Sequence, residues 1–224
     1  MPLISLTNIT KTYTEKSGIE TPALRGINLS VEPGEFLAIA GPSGSGKTTL
    51  LNILGTLDKP NGGTFIFEGE DITNTPVIKL ADFRLRKIGF VFQAYNLFNT
   101  LSALENVEYI MLLQGIPPDK RKEKAIQLLE RVGLKEHTRK RPNQLSGGQQ
   151  QRVAVARALA TEPKVILADE PTANLDSATA GNLLELMHEL NRQLGITFIF
   201  STHDKMVMEK ASRLILLKDG QISS

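Results

Sequence analysis

The sequence contains no cysteine, which excludes disulfides, a thiol nucleophile and a cysteine-ligated metal. It also lacks a long apolar run: no stretch approaches the ~20 residues that span a bilayer as a helix. The start, MPLISLTNITKTY, has no basic segment followed by an apolar one, so no secretion signal is expected. If the chain serves a membrane process, another chain is expected to supply the span. An excess of one charge is missing too, since a net charge of +2 is too weak a field to argue for nucleic acid. There is no internal repeat and no low-complexity segment, and the 18 Gly and 11 Pro are spread along the chain instead of marking a linker. What remains is 224 residues, 41% hydrophobic and 22% charged, the profile of one compact domain with a sizeable core. One local imbalance stands out: from Lys120 to Arg141 nine Lys and Arg accompany three Glu. Such a run suits a solvated helix face, lipid headgroups or an acidic partner.

Short apolar, β-rich runs end abruptly in polar or Gly-rich loops at Glu35 to Ala40, Lys87 to Phe92, Val165 to Ala168 and Ile196 to Phe200. Runs without alternation are strands buried on both faces. Helical patterns follow several of them, as in Lys47 to Leu57 and Ser177 to Leu194, which predicts an α/β fold with a mostly parallel sheet covered by helices. Ligands in such sheets bind beyond the carboxyl ends of the strands, so the residues just after each strand are the candidates for function. Two regions depart from the alternation. LISLTNITKTY and GGTFIFEGEDI read as an antiparallel β flank, and Ala103 to Ala160 is helical almost throughout, punctuated by Pro117, Pro118 and Pro142. The expected division is a core with its β flank over about 1–94 and 161–224, and a helical subdomain over about 95–160. SRLILLKDGQI predicts a hairpin about Asp219-Gly220, with no regulatory domain after it.

Gly41 to Thr48 reads GPSGSGKT, the G-x-x-x-x-G-K-[ST] phosphate loop, set between the strand FLAIA and a helix as that motif requires. Gly41, Ser43, Gly44, Ser45 and Gly46 would turn backbone N–H groups around a phosphate at the helix N-terminus, and Thr49 follows on the helix. Lys47 would reach the β- and γ-phosphates, and the Thr48 hydroxyl would ligate Mg²⁺. The run KVILADE ends in two carboxylates. Asp169 sits where a phosphate-loop protein organises its magnesium, and Glu170 is a candidate general base toward water, although an acidic pair after a strand is also an ordinary exposed turn. A second phosphate-binding device is Leu145 to Gln149, LSGGQ, followed directly by a helix. Ser146, Gly147 and Gly148 at a helix N-terminus offer N–H groups and a hydroxyl. A Ser N-cap accounts for Ser146 but not for the whole pentapeptide.

With both devices in this order, the sequence resembles the ABC ATPase family along essentially its whole length, which implies the ABC ATPase variant of the phosphate-loop fold. The resemblance implies roles for four further sites. Gln93 matches the Q-loop glutamine that contacts Mg²⁺ or the attacking water. Asn174, Leu175 and Asp176 match the D-loop at the dimer interface, His203 matches the switch histidine at the γ-phosphate, and Tyr13 matches the aromatic that stacks on adenine. It also implies a homodimer in which Leu145, Ser146, Gly147, Gly148 and Gln149 complete the partner's ATP site, with ATP and Mg²⁺ as the cofactors. The segment from Thr14 through the phosphate loop, AYNLFNTLSALENVE and NLDSATAGNLLELMHELN are similar to the lipoprotein-release and macrolide-export branch. That branch implies a separate membrane permease, a place at the cytoplasmic face of the membrane, and no direct nucleic-acid partner. Leu97, Phe98 and Leu101 are expected either to line the groove that receives the permease or to be half-buried core. The leading expectation is an ATP-hydrolysing motor for export or lipoprotein extraction; alternatives are a regulator of a membrane partner without transport, and a soluble ATPase acting on nucleic acid.

Overall fold

The computed structural model describes residues 1–223 apart from Glu15, Ser17 and Val77. Two sheets organise the chain. The first has the order β2-β1-β4-β5 and is built from β1 (Ile4–Thr14), β2 (Glu20–Val31), β4 (Gly62–Phe67) and β5 (Glu70–Asp71), all antiparallel. The second has the order β10-β9-β3-β8-β7-β6, from β3 (Phe36–Ala40), β6 (Ile88–Phe92), β7 (Val165–Asp169), β8 (Thr197–Thr202), β9 (Arg213–Lys218) and β10 (Gln221–Ser223). All its pairings are parallel except that of β10, which forms the expected hairpin with β9.

Every residue of β3 and β8 is buried, and their side chains sort by alternation onto the two faces of the sheet. Phe36, Phe198 and Phe200 join one core with Ile166 and Ala168; Leu37, Ile39 and Ile199 join the other with Val165 and Leu167. The first core is closed by α3 (Ala103–Leu113), α4 (Pro118–Arg131), α5 (Gly147–Leu159) and α6 (Ser177–Leu194). The second is closed by α1 (Lys47–Leu54) and by residues of the antiparallel sheet, with Leu80 of α2 (Leu80–Lys87) at its edge. The short α7 (Lys205–Lys210) follows β8.

Local chemistry sets the helix boundaries. Ser102 and Glu105 form a reciprocal capping box at the start of α3, and Pro118 occupies the first turn of α4, where no N–H is required. Asp176 caps α6 and Gly195, at φ 65°, ends it in the left-handed conformation that suits glycine. The region after Ala103 holds three helices, with short 3₁₀ turns at Lys135–His137 and Pro142–Gln144 between α4 and α5. α1 stops at Leu54, three residues short of the expected Leu57, and β8 runs on to Thr202, two beyond the expected Phe200.

Candidate functional site

The strand register assembles the site. Ala40 lies opposite Thr202, Asp169 opposite Ser201, and Phe92 opposite Asp169. Four strands therefore stop within one residue of one another, and the next residues, Gly41, His203, Glu170 and Gln93, emerge along the carboxyl edge, Gln93 and Glu170 one residue short of Gly41 and His203. With neighbouring strands ~4.8 Å apart, three steps carry the edge from β3 to β6 over about 14 Å, on the scale of a triphosphate and its attacking water.

Steric demand fixes the phosphate loop. A Cβ on Gly41 would lie 2.0 Å from the Leu217 carbonyl oxygen, and Gly46, at φ 102°, would set one 2.6 Å from the Ala23 oxygen. Neither position admits a side chain without moving backbone. The Asp219-Gly220 turn braces the loop from behind, with Gly220 N–H donating to the Ser45 carbonyl at 3.0 Å. Lys47 folds over the loop, its ammonium donating to the carbonyls of Gly41 at 2.7 Å and Pro42 at 2.9 Å. Ser43, Gly44 and Thr48 are exposed, Thr49 is half-buried, and Ser45 is buried with its hydroxyl unpartnered among the described residues.

Asp169 and Glu170 are not an ordinary exposed turn. Burial pushes the Asp169 carboxyl above the usual aspartate value, and the charge of Glu170 adds to this while Lys47 opposes it. Its Oδ1 is buried without a hydrogen bond of normal geometry among the described residues, and the nearby Ser201 hydroxyl only partly offsets the burial. A buried carboxylate oxygen of this kind is poorly solvated unless a cation approaches, so the donor set suits a hard divalent metal. Among the described residues no cluster of three or more His, Cys, Asp or Glu forms a metal cage; a site with one carboxylate matches magnesium, which takes its remaining ligands from water and phosphate. Glu170 holds φ 46°, a left-handed conformation costing about 1–2 kcal/mol. The neighbouring strand β8 keeps it there: Glu170 N–H donates to the Ser201 carbonyl at 2.9 Å, and Thr202 Oγ1 donates to Oε2 at 3.4 Å. Oε1 lies 2.7 Å from Nδ1 of His203, whose ring is 72% exposed against 16% for the glutamate. A shielded carboxylate thus orients an exposed imidazole beside the phosphate loop.

Gln93 is exposed, and its loop is tied to the segment after β7: Asn174 Nδ2 donates to the Gln93 carbonyl at 3.0 Å, and Gln93 Nε2 approaches Asn174 Oδ1 at 3.5 Å. Leu175 packs against the helical core, while Asp176 spends its carboxylate on Thr179, accepting from its N–H at 3.0 Å and its hydroxyl at 2.6 Å. Tyr13 is 41% exposed. Its hydroxyl donates to Asp58 at 2.8 Å, and the Lys11 ammonium, paired with Asp58 at 2.7 Å, sits 4.9 Å from the ring centre. The ring is a fixed platform with a cation near one face.

The LSGGQ segment lies elsewhere in the chain: no hydrogen bond among the described residues joins Gly41–Thr48 to Leu145–Gln149. Ser146 caps α5, accepting from Gln149 N–H at 3.3 Å while its own N–H donates to Gln149 Oε1 at 3.0 Å. Leu145 is 7% exposed and anchors the motif in the core. Both glycines sit under close neighbours: a Cβ on Gly147 would meet the Tyr95 hydroxyl at 2.8 Å, and one on Gly148 the Thr179 Cγ2 at 2.4 Å. The cap accounts for Ser146 and uses the Gln149 N–H, packing accounts for the glycines, and no hydrogen bond among the described residues takes up the N–H groups of Gly147 and Gly148.

Of the three apolar residues after Gln93, Leu97 packs into the helical core, whereas Phe98 is 46% exposed and meets Tyr109 at 4.8 Å between ring centres with the rings tilted by 57°. These two rings border a groove of about 280 Å³ floored by Phe90, Phe92 and Ile110; Leu101 is half-buried and is not among the groove's lining residues. Sequence reading passed over Tyr95, Gln151 and Arg157. The one sign of Arg157 was a cation inside the apolar run VAVARALA.

The comparisons with known proteins agree with this geometry. A family model described as ABC transporter matches residues 24–173. The chain is 49% identical over 224 residues to the macrolide export ATP-binding/permease protein MacB of Syntrophobacter fumaroxidans, covering 99% of this chain and 31% of that one. It therefore spans about a third of the length of that two-part relative. It is also 49% identical over 220 residues to the lipoprotein-releasing system ATP-binding protein LolD of Syntrophus aciditrophicus, covering 98% of each. Among solved structures, the dimeric post-hydrolysis state of the ATP-binding cassette MJ0796 bound to ADP and Pi superposes with a TM-score of 0.90 at 43% identity, over 99% of this chain and 97% of that one.

Proposed function

The chain belongs to the ABC transporter family, and from that premise we propose that two copies of it close around two ATP molecules and hydrolyse them to drive a separate membrane permease. The observation that carries this reading is the separation of two phosphate cradles within one chain. A triphosphate held at Gly41–Thr48 needs one cradle, and the start of α5 offers another to a neighbouring copy. A two-fold pair, in which each copy lends its Ser146 to the other's nucleotide, uses both and closes the assembly.

In this reading Tyr13 receives adenine on its open face, and Lys47 exchanges the Gly41 and Pro42 carbonyls for phosphate oxygens. Thr48, Gln93 and Asp169 would hold Mg²⁺, whose charge neutralises phosphate when bound. Glu170 takes a proton from the attacking water, and His203, oriented by Glu170 Oε1, meets the γ-phosphate. Leu145 and Leu175 anchor the LSGGQ and Asn174–Asp176 segments in the core; Gly147, Gly148 and Gln149 shape the surface presented to the partner. Residues 95–160 act as a helical subdomain, with Phe98 and Tyr109 meeting the permease. No described helix is long and apolar enough to cross a membrane, so attachment at the cytoplasmic face runs through that permease. The likeness to MacB and LolD supports export or lipoprotein extraction as the work of that permease.

The test is a pair of variants. Glu170→Gln is expected to keep ATP binding, lose turnover and accumulate a closed dimer in light scattering; turnover at the parent rate would remove Glu170 as base. Ser146→Arg puts bulk and charge at the partner's nucleotide, so ATP-driven dimerisation unchanged in that variant would refute the shared site.

A further inference from the structure

The end of β1 is fastened to the turn after α1 by a cluster of charged and polar groups. Lys11 is 8% exposed, a depth at which an ammonium has to be paired. It donates to Asp58 Oδ1 at 2.7 Å and to the Lys59 carbonyl at 2.8 Å, which uses two of its three N–H groups. The same ammonium lies 4.9 Å from the centre of the Tyr13 ring, within cation–π range. Asp58 completes the cluster: Oδ2 accepts from the Tyr13 hydroxyl at 2.8 Å, and Oδ1 also accepts from the Lys59 N–H at 2.7 Å. Burial opposes the charge of Asp58, but the hydrogen bonds from Lys11, Tyr13 and Lys59 hold its carboxyl below the ordinary value.

This cluster is built onto α1. The N–H groups of Leu57 and Asp58 both donate to the Asn52 carbonyl, at 2.8 Å and 3.2 Å. Alongside, Thr12 N–H donates to Asn61 Oδ1 at 2.6 Å and Asn61 N–H to the Thr10 carbonyl at 2.8 Å. Burial raises the Tyr13 phenol above its ordinary value, against the pull of the Thr49 hydroxyl on the first turn of α1. The helix that opens on the phosphate loop thus meets the tyrosine near its start and grips it past its end. Because Lys11 is buried, the ring face it covers is the inner one, and the other face is left to solvent.

We propose that Lys11 and Asp58 are positioning residues for the base: they hold the Tyr13 ring at a fixed place on α1, so that one helix sets the span from base platform to phosphate loop and the site favours a nucleotide over a bare polyphosphate. Both act through the ring. Asp58 fixes its far edge by the hydroxyl. Lys11 keeps it from turning inward and draws its π electrons toward the buried face, which suits stacking of an electron-rich purine on the open one.

The inference rests on the reading of Tyr13 as the adenine platform, and the experiment separates the two. Calorimetry gives the affinity of the chain for ADP, and displacement of ADP gives that for inorganic tripolyphosphate, both with Mg²⁺. Lys11→Met keeps the apolar stem and removes the charge; it is expected to weaken ADP about threefold to tenfold and to leave tripolyphosphate within about twofold. Tyr13→Phe keeps the ring and breaks its tie to Asp58, and should lose about twofold to fivefold for ADP alone. Unchanged ADP binding in Lys11→Met overturns the proposal. Equal losses for ADP and tripolyphosphate overturn it as well, since the cluster would then be a brace for α1 and nothing more. Should Lys11→Met fail to fold, Tyr13→Phe decides by the same split. Tyr13→Ala is the control: if it binds ADP as tightly as the parent, the adenine reading itself falls, and the proposal with it.

Discussion

Replacing Gly148 by alanine sets two known effects against each other, and the structure decides which wins. The new methyl group would lie 2.4 Å from Thr179 Cγ2. An ordinary carbon contact is about 3.5–4.0 Å, so α5 and α6 must part by about 1.1–1.6 Å at this point. Overpacking of that order costs about 1–3 kcal/mol, whereas alanine in place of glycine in a helix returns about 1 kcal/mol. Gly148→Ala is therefore expected to lower stability by about 0–2 kcal/mol in the parent chain. In a Thr179→Ser background the colliding methyl is gone, while the hydroxyl and N–H that Asp176 accepts remain, and the same change should stabilise by up to about 1 kcal/mol. Urea denaturation of the four proteins gives the coupling, expected at about 1–3 kcal/mol. ATP-driven dimerisation should follow it, since a displacement of about 1 Å at a phosphate cradle can cost a hundredfold in function. If Gly148→Ala shifts stability equally in both backgrounds, to within about 0.5 kcal/mol, Gly148 is not there to admit Thr179.

Two further outcomes follow from the caps. Ser146 uses a lone pair of its hydroxyl to accept from Gln149 N–H, which leaves the proton free for a partner's phosphate; Ser146→Ala should cost about 1 kcal/mol in thermal or urea melts and weaken ATP-driven dimerisation, while Ser146→Thr should restore the stability. The N–H and hydroxyl of Ser102 hold the Glu105 carboxyl below its ordinary value, so its contribution to α3 is complete above the usual glutamate pKa and fades as pH falls through the lowered one. Glu105→Gln, melted across that acid range, should lose less stability than the parent, and parallel melting curves would show that the cap carries no such linkage.

The parallel core was legible because FLAIA, VILAD and TFIFS lack period-two alternation and each runs abruptly into a polar or Gly-rich loop. The β2 strand was not: its Glu20–Val31 stretch includes Pro22 and Gly26, the latter at φ 81°, and its register with β1 is interrupted three times, so period-two alternation is lost. Within the site, the motifs were enough to propose Lys47, Asp169 and Glu170, and the family resemblance His203, because Lys47 opens the helix after the phosphate loop while Asp169, Glu170 and His203 stand at or directly after the ends of their strands. The links of Tyr95 to Gly147 and of Gly148 to Thr179 were invisible for the opposite reason. They are contacts between segments far apart in the chain, and the glycines that admit them read instead as small residues baring N–H groups at a helix N-terminus.

The edge formed by Gly41, Glu170, His203 and Gln93, whose strands end within one residue of one another, carries a last consequence. A hydrogen-bonded ladder advances only by whole residues, about 3.3 Å at a time, and each step turns a side chain to the opposite face. These residues therefore cannot be tuned against one another by small slippage of their strands. The sheet works as a ruler with coarse divisions, and all fine adjustment is left to the loops beyond its end and to whatever grips them.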